Sequence, residues 1–316
     1  MAGSRIVGLG HYQPPGILTN DDLSQRVDTN DEWIRSRVGI ETRHVVDDTE
    51  GVPELATKAG ADALAKAGID AAEVDLVVVA TCTDETRSPN VSARVAHRLG
   101  IAGPATYDIN TACSGFCYGL ATVDHALRAG AARTALVIGV DVLTRVTDWT
   151  DRTTCILVGD GAGAAVVRAV DGDGAPGIGP VVWGSVPELS DAVRIDGTPP
   201  VFSQEGRSVF RWATTQLAPL ARQACEKAGV KPEDLAAFVP HQANVRIIDP
   251  LAAKLGLGES TVVAKDIVES GNTSAGSVPL AFSKLAAGGG VPSGAPVLLF
   301  GFGGGLTYAG QVVAAP

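Results

Sequence analysis

The chain has 316 residues, 45% hydrophobic and 19% charged, so it can bury a large core and lies far from the composition of disordered proteins. With 25 Lys and Arg against 35 Asp and Glu, the net charge is −10, which argues against binding to nucleic acid or to an anionic membrane. The five cysteines form no C-x-x-C pair, so neither a zinc site nor a disulfide framework is expected.

The segment Met1–Gly10 contains one Arg and a short apolar stretch, so no signal peptide is expected there. No run in the sequence approaches about 18 apolar residues, the length of a membrane span. We therefore expect a reduced, cytoplasmic protein whose interesting cysteines act as thiols.

Strands and helices alternate through the first half of the chain. The pattern predicts strands at Ile6–Leu9, Leu76–Thr81, Ala105–Asn110, Ala135–Val140 and Ala164–Val170. It predicts helices at about Pro53–Ala67, Val91–Leu99 and Cys113–Ala129. Such alternation indicates mainly parallel sheets covered by helices on both faces.

Cys113 lies where the predicted strand Ala105–Asn110 runs directly into a helix. The helix has one apolar face, formed by Phe116, Leu120, Val123 and Leu127. A helix N-terminus favours a thiolate, and the small neighbours of Cys113 leave room for a substrate. A catalytic thiol is one interpretation, and an ordinary buried cysteine is the other.

Two glycine-rich runs lead into predicted strands. The run Gly159–Ala164 formally fits G-x-G-x-x-A, but no helix follows, so a dinucleotide site is not expected. The run Phe300–Gly305 places three consecutive glycines before a strand, and their exposed N–H groups would suit an oxyanion hole.

The chain contains an internal repeat. Ala63–Val79 matches Ala224–Pro240 at an offset of 161 residues, and the same offset aligns Cys113 with Ser274. Because the offset is about half of the length, we expect two related α/β halves. The run Asp171–Pro180 is the expected seam, so residues 1–172 form the half with Cys113 and residues 173–316 the other half.

The second half offers two polar candidates. His241 follows a predicted buried strand, at a sheet edge where α/β folds place ligands. Asn272 lies in the counterpart of the Cys113 turn, and its amide can donate a hydrogen bond toward a shared centre. A structural histidine and a helix-capping asparagine are the alternatives.

Eight motifs are spread along the chain. They are TNDDL (Thr19–Leu23), DTNDEWIRSRVGIETRH (Asp28–His44), TACSGF (Thr111–Phe116), TDRTT (Thr150–Thr154), GDGAGAAVV (Gly159–Val167), PHQANVRII (Pro240–Ile248), GNTSAGSVPLA (Gly271–Ala281) and GFGGGLTYAG (Gly301–Gly310). With these motifs the sequence resembles β-ketoacyl-acyl-carrier-protein synthase III over essentially the whole chain. The resemblance implies the thiolase-like fold, an αβαβα five-layered pair of duplicated halves, usually assembled as a homodimer.

The resemblance implies a decarboxylating Claisen condensation of an acyl-CoA starter with malonyl-ACP, which yields 3-oxoacyl-ACP without a cofactor or metal. Cys113 would be the nucleophile, and His241 and Asn272 would hydrogen-bond the malonyl thioester oxygen. The N–H groups of Cys113 and Gly304 would form the oxyanion hole, and Phe302 would shield the malonyl carboxylate.

The resemblance also implies residues for binding the two substrates. Trp33, Arg37 and Arg152 match residues that grip the CoA nucleotide, and Arg207, Phe210 and Asn244 occupy further tunnel positions. Arg207 departs from the Asn that is usual there. A basic patch for the acidic acyl carrier protein would comprise Arg246, Arg211 and Lys254.

Two departures concern the acyl pocket. Ser88 stands where acetyl-selective members carry a bulky Phe, which implies a roomier pocket for longer or branched starters. The stretch Gly184–Phe202, near the pocket mouth, is shorter than in many relatives. Neither feature identifies the starter or separates fatty acid from polyketide synthesis.

Two alternatives use the same scaffold. One is acyl transfer to an alcohol or amine without decarboxylation, in which an Asn at position 272 would have little use. The other is a silent subunit that modulates a partner synthase, and such subunits generally lack the nucleophile. Cys113, His241 and Asn272 together favour condensation.

Overall fold

The computed structural model describes residues 3–170 and 177–316. Its strands, in chain order, are β1 (Gly3–Tyr12), β2 (Gly16–Thr19), β3 (Thr42–Val45), β4 (Leu76–Ala80), β5 (Ala105–Ile109), β6 (Thr134–Val142), β7 (Asp160–Val170), β8 (Val182–Ser185), β9 (Val193–Asp196), β10 (Val201–Gln204), β11 (Ala237–Pro240), β12 (Val262–Val263), β13 (Pro296–Gly303) and β14 (Thr307–Ala314).

The helices lie between these strands, and most of them end at a glycine in the left-handed conformation. They are α1 (Asn20–Ser24), α2 (Asp31–Val38), α3 (Val52–Ala67), α4 (Val91–Leu99), α5 (Gly115–Arg128), α6 (Gly206–Ala228), α7 (Val245–Leu255), α8 (Ile267–Ser270) and α9 (Ser277–Ala287).

Two five-stranded sheets have equivalent topology. The first has the order β1-β7-β6-β4-β5, and the second, read from the other edge, has the order β8-β14-β13-β11-β12. In each sheet three neighbouring strands pair in parallel, and the other two pairings (β6–β7 and β7–β1, or β13–β14 and β14–β8) are antiparallel. The prediction of mainly parallel sheets is therefore wrong for two pairings of each sheet. Strands β13 and β14 are joined by the short turn Gly304–Leu306, whereas β6 and β7 are joined by residues 143–159.

Helices α5 and α9 pack between the two sheets, and α3 and α4 cover the outer face of the first sheet. Helices α6 and α7 cover the outer face of the second, which completes the five layers that the resemblance implied. The central layer is apolar because the predicted face of α5 is buried, from Phe116 to Leu127.

The repeat is visible in the two turns that open the central helices. Ala112 and Ser274 both have a positive φ, 47° and 48°, although neither is a glycine. Each turn is braced by an asparagine two residues earlier, Asn110 or Asn272, whose Oδ1 accepts the N–H of the strained residue. The offset here is 162, so the counterpart of Cys113 is Ala275 and the predicted pairing with Ser274 is wrong by one residue. The predicted boundary at residue 172 lies outside the described residues.

Candidate active site

Cys113 lies in a short 3-10 turn, Ala112–Ser114, between β5 and α5. The turn is tight because Gly303 of β13 passes directly against it. A Cβ on Gly303 would come 2.6 Å from the Cβ of Cys113 and 2.9 Å from its Sγ. The nucleophile candidate is therefore fixed between a strained turn of the first half and a glycine strand of the second.

The Cys113 thiol is not a ready thiolate. Burial raises its pKa to about 11, although hydrogen bonds from Ser274 and from the N–H groups of Gly304 and Cys113 act in the opposite direction. The N–H groups of the turn favour the thiolate, as expected, but the loss of water outweighs them, so the net effect on the pKa of the free thiol is upward.

His241 directly follows β11 and is almost fully buried. Its Nδ1 lies 2.7 Å from the Ser277 Oγ, and that oxygen accepts the Gln242 N–H at 3.3 Å. An oxygen that accepts one proton is well placed to give its own to Nδ1, which leaves the proton of the ring on Nε2. Burial lowers the pKa of His241 to about 3, so the ring is neutral and its Nε2 is a hydrogen-bond donor.

Asn272 is fixed at both its backbone and its side chain. Its N–H donates to the Leu157 carbonyl at 2.8 Å, and its own carbonyl accepts the Gly159 N–H at 2.9 Å. Its Oδ1 is occupied by the Ser274 N–H at 2.8 Å. Since the amide oxygen has this partner, the Nδ2 group is the part of the side chain that is left to donate toward a ligand.

One cavity of about 410 Å³ joins the three candidates. Cys113, His241 and Asn272 line it together with the strand-to-turn segment Phe302–Gly304. The Phe302 ring lies edge-on to His241, with 5.2 Å between ring centroids. The cavity therefore presents a thiol, two neutral donors, two backbone N–H groups and an aromatic wall at one place.

The predicted CoA residues lie along this cavity, with one exception. Trp33, Arg37, Arg207, Phe210 and Asn244 line it. Arg152 lies outside the lining and contacts the Trp33 ring, with its Cζ 5.0 Å from the ring centroid. Arg152 also donates to the Asp28 carbonyl at 2.8 Å, so an incoming adenine would have to displace it from the indole.

A second cavity of about 330 Å³ lies on the other side of Cys113. Cys113 lines it together with residues that the sequence analysis did not identify, among them Cys82, Leu143, Val193, Ile195 and Phe202. Val193 and Phe202, on the β9–β10 hairpin, line both cavities. Three of these residues belong to the stretch Gly184–Phe202, and no local sequence pattern points them at Cys113.

Ser88 is exposed. Among the described residues of a single chain, it belongs to the lining of neither cavity. It precedes a cis Pro89 in the loop between β4 and α4. The predicted position of Ser88 in the acyl pocket is therefore not supported by its contacts within a single chain.

The predicted basic patch lies on the outer pair of helices. Arg246 and Lys254 are exposed on α7, and Arg211 is exposed on the neighbouring α6. The Arg246 guanidinium lies over Phe210, 5.8 Å from the ring centroid, which brings this patch to the cavity wall.

Residues 3–170 and 177–316 contain no cluster of three His, Cys, Asp or Glu side chains that could hold a metal ion. Their helices are all too short or too polar to cross a membrane.

Two protein-family models match separate parts of the chain. The model of 3-oxoacyl-[acyl-carrier-protein] synthase III matches residues 107–187, and the model of the C-terminal part of that synthase matches residues 225–315. Among curated proteins, β-ketoacyl-[acyl-carrier-protein] synthase III 2 of Streptomyces avermitilis is 65% identical over 316 residues and is covered completely, as is this chain. Synthase III 4 of Streptomyces coelicolor is 65% identical and covered to 99%.

Solved structures agree with these matches. The priming β-ketosynthase of the R1128 polyketide biosynthetic pathway has a TM-score of 0.96 at 41% identity, with 99% of this chain and 96% of that chain covered. The 3-oxoacyl-[acyl-carrier-protein] synthase III of Aquifex aeolicus has a TM-score of 0.93 at 38% identity, with 99% and 100% covered.

Proposed function

The chain belongs to the 3-oxoacyl-[acyl-carrier-protein] synthase III family of condensing acyltransferases, and we propose that Cys113, His241 and Asn272 carry its chemistry. The observation that supports this assignment is the single cavity lined by all three residues and by Phe302–Gly304. The expected substrates are an acyl-CoA and malonyl-ACP, and the reaction balances without a cofactor.

In the first half-reaction, the Cys113 sulfur attacks the thioester carbonyl of the acyl-CoA. The N–H groups of Cys113 and Gly304 hold the tetrahedral oxyanion, and the CoA thiol leaves with the proton that Cys113 gives up. A preorganised donor of this kind contributes about 3 kcal/mol to transition-state stabilisation. Because the resting thiol is protonated, proton removal is part of the attack rather than a step completed beforehand.

In the second half-reaction, malonyl-ACP loses CO2 and forms an enolate. The Nε2–H of His241 and the Nδ2–H of Asn272 donate to the thioester oxygen, where negative charge develops. Both donors are neutral and buried, so they stabilise charge that exists only as the reaction proceeds. The enolate carbon then attacks the acyl-Cys113 carbonyl, which gives 3-oxoacyl-ACP and expels the Cys113 thiolate, and the thiolate takes a proton from solvent to restore the thiol.

The bound acyl group would lie in the 330 Å³ cavity, and CoA would occupy the 410 Å³ cavity along Trp33, Arg37, Arg207 and Phe210. The carrier protein would dock on Arg246, Arg211 and Lys254, whose charge opposes the overall −10 of the chain. The patch borders the cavity wall at Phe210, so a docked carrier could deliver its thioester there.

The homodimer is supported by β5, an edge strand of the first sheet. Among the described residues, no strand pairs with its outer edge. Half-buried Tyr107 and Ile109 lie on it, and an unprotected edge of this kind is a template for a second copy.

Intact-protein mass spectrometry with a panel of acyl-CoAs tests the assignment. The wild-type chain should gain one acyl group, Cys113→Ala should gain none, and Cys117→Ala, one helical turn away, should behave as wild type.

His241→Ala and Asn272→Ala should lose malonyl decarboxylation far more than self-acylation. An acyl adduct on Cys113→Ala, or equal loss of both half-reactions, would contradict the division of roles. Acyl transfer to an alcohol or amine without decarboxylation is not favoured by the names of the relatives.

A further inference from the structure

Two thiols share the cavity on the acyl side of the site. Cys82 and Cys113 both line the 330 Å³ cavity, and each keeps a minor exposed fraction. Cys117, Cys155 and Cys225 are buried. We propose that Cys82 is a resolving cysteine, which forms a disulfide with Cys113 when a hydroperoxide oxidises the site. The inference rests on the proposed role of Cys113 only for its effect on activity.

The two cysteines line one cavity together with Ser274. The Cys82 Sγ lies 3.8 Å from the Ser274 Oγ. Ser274 is itself buried and held in the strained turn of the second half. Both thiols therefore face the same space, and a change of side-chain rotamer at each cysteine is the motion that a disulfide requires.

The backbone at Cys82 is firmly held, so the closure must come from side-chain rotation. Asp141 is fully buried, and its Oδ1 accepts the Cys82 N–H at 2.8 Å and the hydroxyls of Thr81 and Thr83. Its Oδ2 accepts the Ala275 N–H at 3.1 Å, which ties the same carboxylate to the Ser274 turn. The Asp141 carboxylate therefore holds both the Cys82 backbone and the turn that contains Ser274.

The chemistry proceeds in two balanced steps. Cys113–SH and ROOH give the sulfenic acid Cys113–SOH and ROH, so the sulfur is oxidised and the O–O bond is reduced. Cys82–SH then attacks the sulfenic sulfur, which forms the S–S bond and releases water. Without a second thiol, further peroxide converts the sulfenic acid to a sulfinic acid, which thiol reductants do not reverse.

The acyl intermediate should block this reaction. An acyl group on Cys113 removes the thiol and fills the space that Cys82 needs. Because burial raises the pKa of both thiols, the resting pair is protonated and the oxidation should be slow. The disulfide would protect an idle enzyme rather than interrupt a working one.

The test is peroxide treatment of the purified chain, followed by denaturing mass spectrometry without reductant. The wild type should lose two hydrogens, and dithiothreitol should restore both the mass and the activity. Cys82→Ser should instead gain two oxygens on Cys113 and stay inactive after dithiothreitol. Acylation before treatment should prevent both changes.

Cys117→Ala is the matched control, because Cys117 shares the tryptic peptide of Cys113 and is buried on the same helix. It should form the disulfide as the wild type does, and activity is expressed relative to each variant's own untreated rate. Sulfinic acid forming equally in the wild type and Cys82→Ser, a bridge to another cysteine, or no oxidation at all would overturn the inference. Self-acylation of the untreated chain separately reports whether Cys113 is the nucleophile.

Discussion

At the residue scale, the positions of the three candidate side chains followed from sequence, but their protonation states did not. Strand-to-helix and strand-to-loop transitions point to Cys113, His241 and Asn272. Their environment depends on the central layer of the fold, because burial decides that both the thiol and the imidazole are uncharged. No local pattern encodes that burial, since Gly303 of the other half covers Cys113, and Ser277 and Phe302, far along the chain, contact His241.

The raised pKa of Cys113 gives a prediction for alkylation. Iodoacetamide reacts with the thiolate, so the rate at Cys113 should rise about tenfold per pH unit from pH 7 to 9, with no plateau. The rate is measured by mass spectrometry of the Cys113 peptide in Cys117→Ala, which removes the second thiol of that peptide. A plateau near pH 7 would show that the free thiol is already activated.

At the element scale, the eight helices and strands predicted in the first half lie within a few residues of the observed ones, because hydrophobic periodicity and glycine caps are local. The short elements between β1 and α3, namely β2, α1, α2 and β3, were not predicted. The hairpin of β9 (Val193–Asp196) and β10 (Val201–Gln204) was not predicted either. Its strands have only four residues each, which is too short for periodicity to identify them, and their contacts with the site are set by distant elements.

The contact between β6 and the turn before α9 allows no side chain. A Cβ on Gly139 would come 2.2 Å from the Ala275 carbonyl oxygen. Gly139→Ala should therefore destabilise the chain by about 3 kcal/mol or more, since a backbone atom would have to move. Gly288→Ala, at the exposed end of α9, meets nothing closer than 3.4 Å and should be near neutral. Urea unfolding of both variants measures the difference, and equal midpoints would contradict the contact.

At the scale of the whole molecule, the repeat was the most informative feature of the sequence. It predicted two related halves with a site between them, and the equivalent sheet orders agree with it. It could not place the turns to the residue, because the offset changes from 161 to 162 between β4 and α5. An insertion of one residue in a loop leaves the strand pairing of both sheets intact, and matching the two repeats by sequence does not show where the insertion lies.

Buried neutral His241 makes the stability of the whole fold depend on pH. Its folded pKa of about 3 lies below the 6.5 of an exposed imidazole, so the unfolded chain binds more protons between these values. Stability should therefore fall as pH drops below 6.5, by about 3 kcal/mol between pH 6.5 and 4.

Urea unfolding of the wild type and His241→Gln at several pH values isolates this contribution. Burial raises the pKa of Asp160 to about 6, which acts in the opposite direction between pH 4 and 6 in both proteins. The difference between the two curves should therefore carry the His241 dependence alone. Parallel curves would mean that His241 is charged or exposed in the folded state.

The β9–β10 hairpin has a consequence for how the two substrates influence one another. Val193 and Phe202 form a common wall between the cavity proposed for CoA and the cavity proposed for the acyl group. A starter that presses on this wall would change the shape of the space in which CoA is proposed to bind. The starter would then change the affinity for CoA by the same factor as CoA changes the affinity for the starter, because the coupling between two bound ligands is reciprocal.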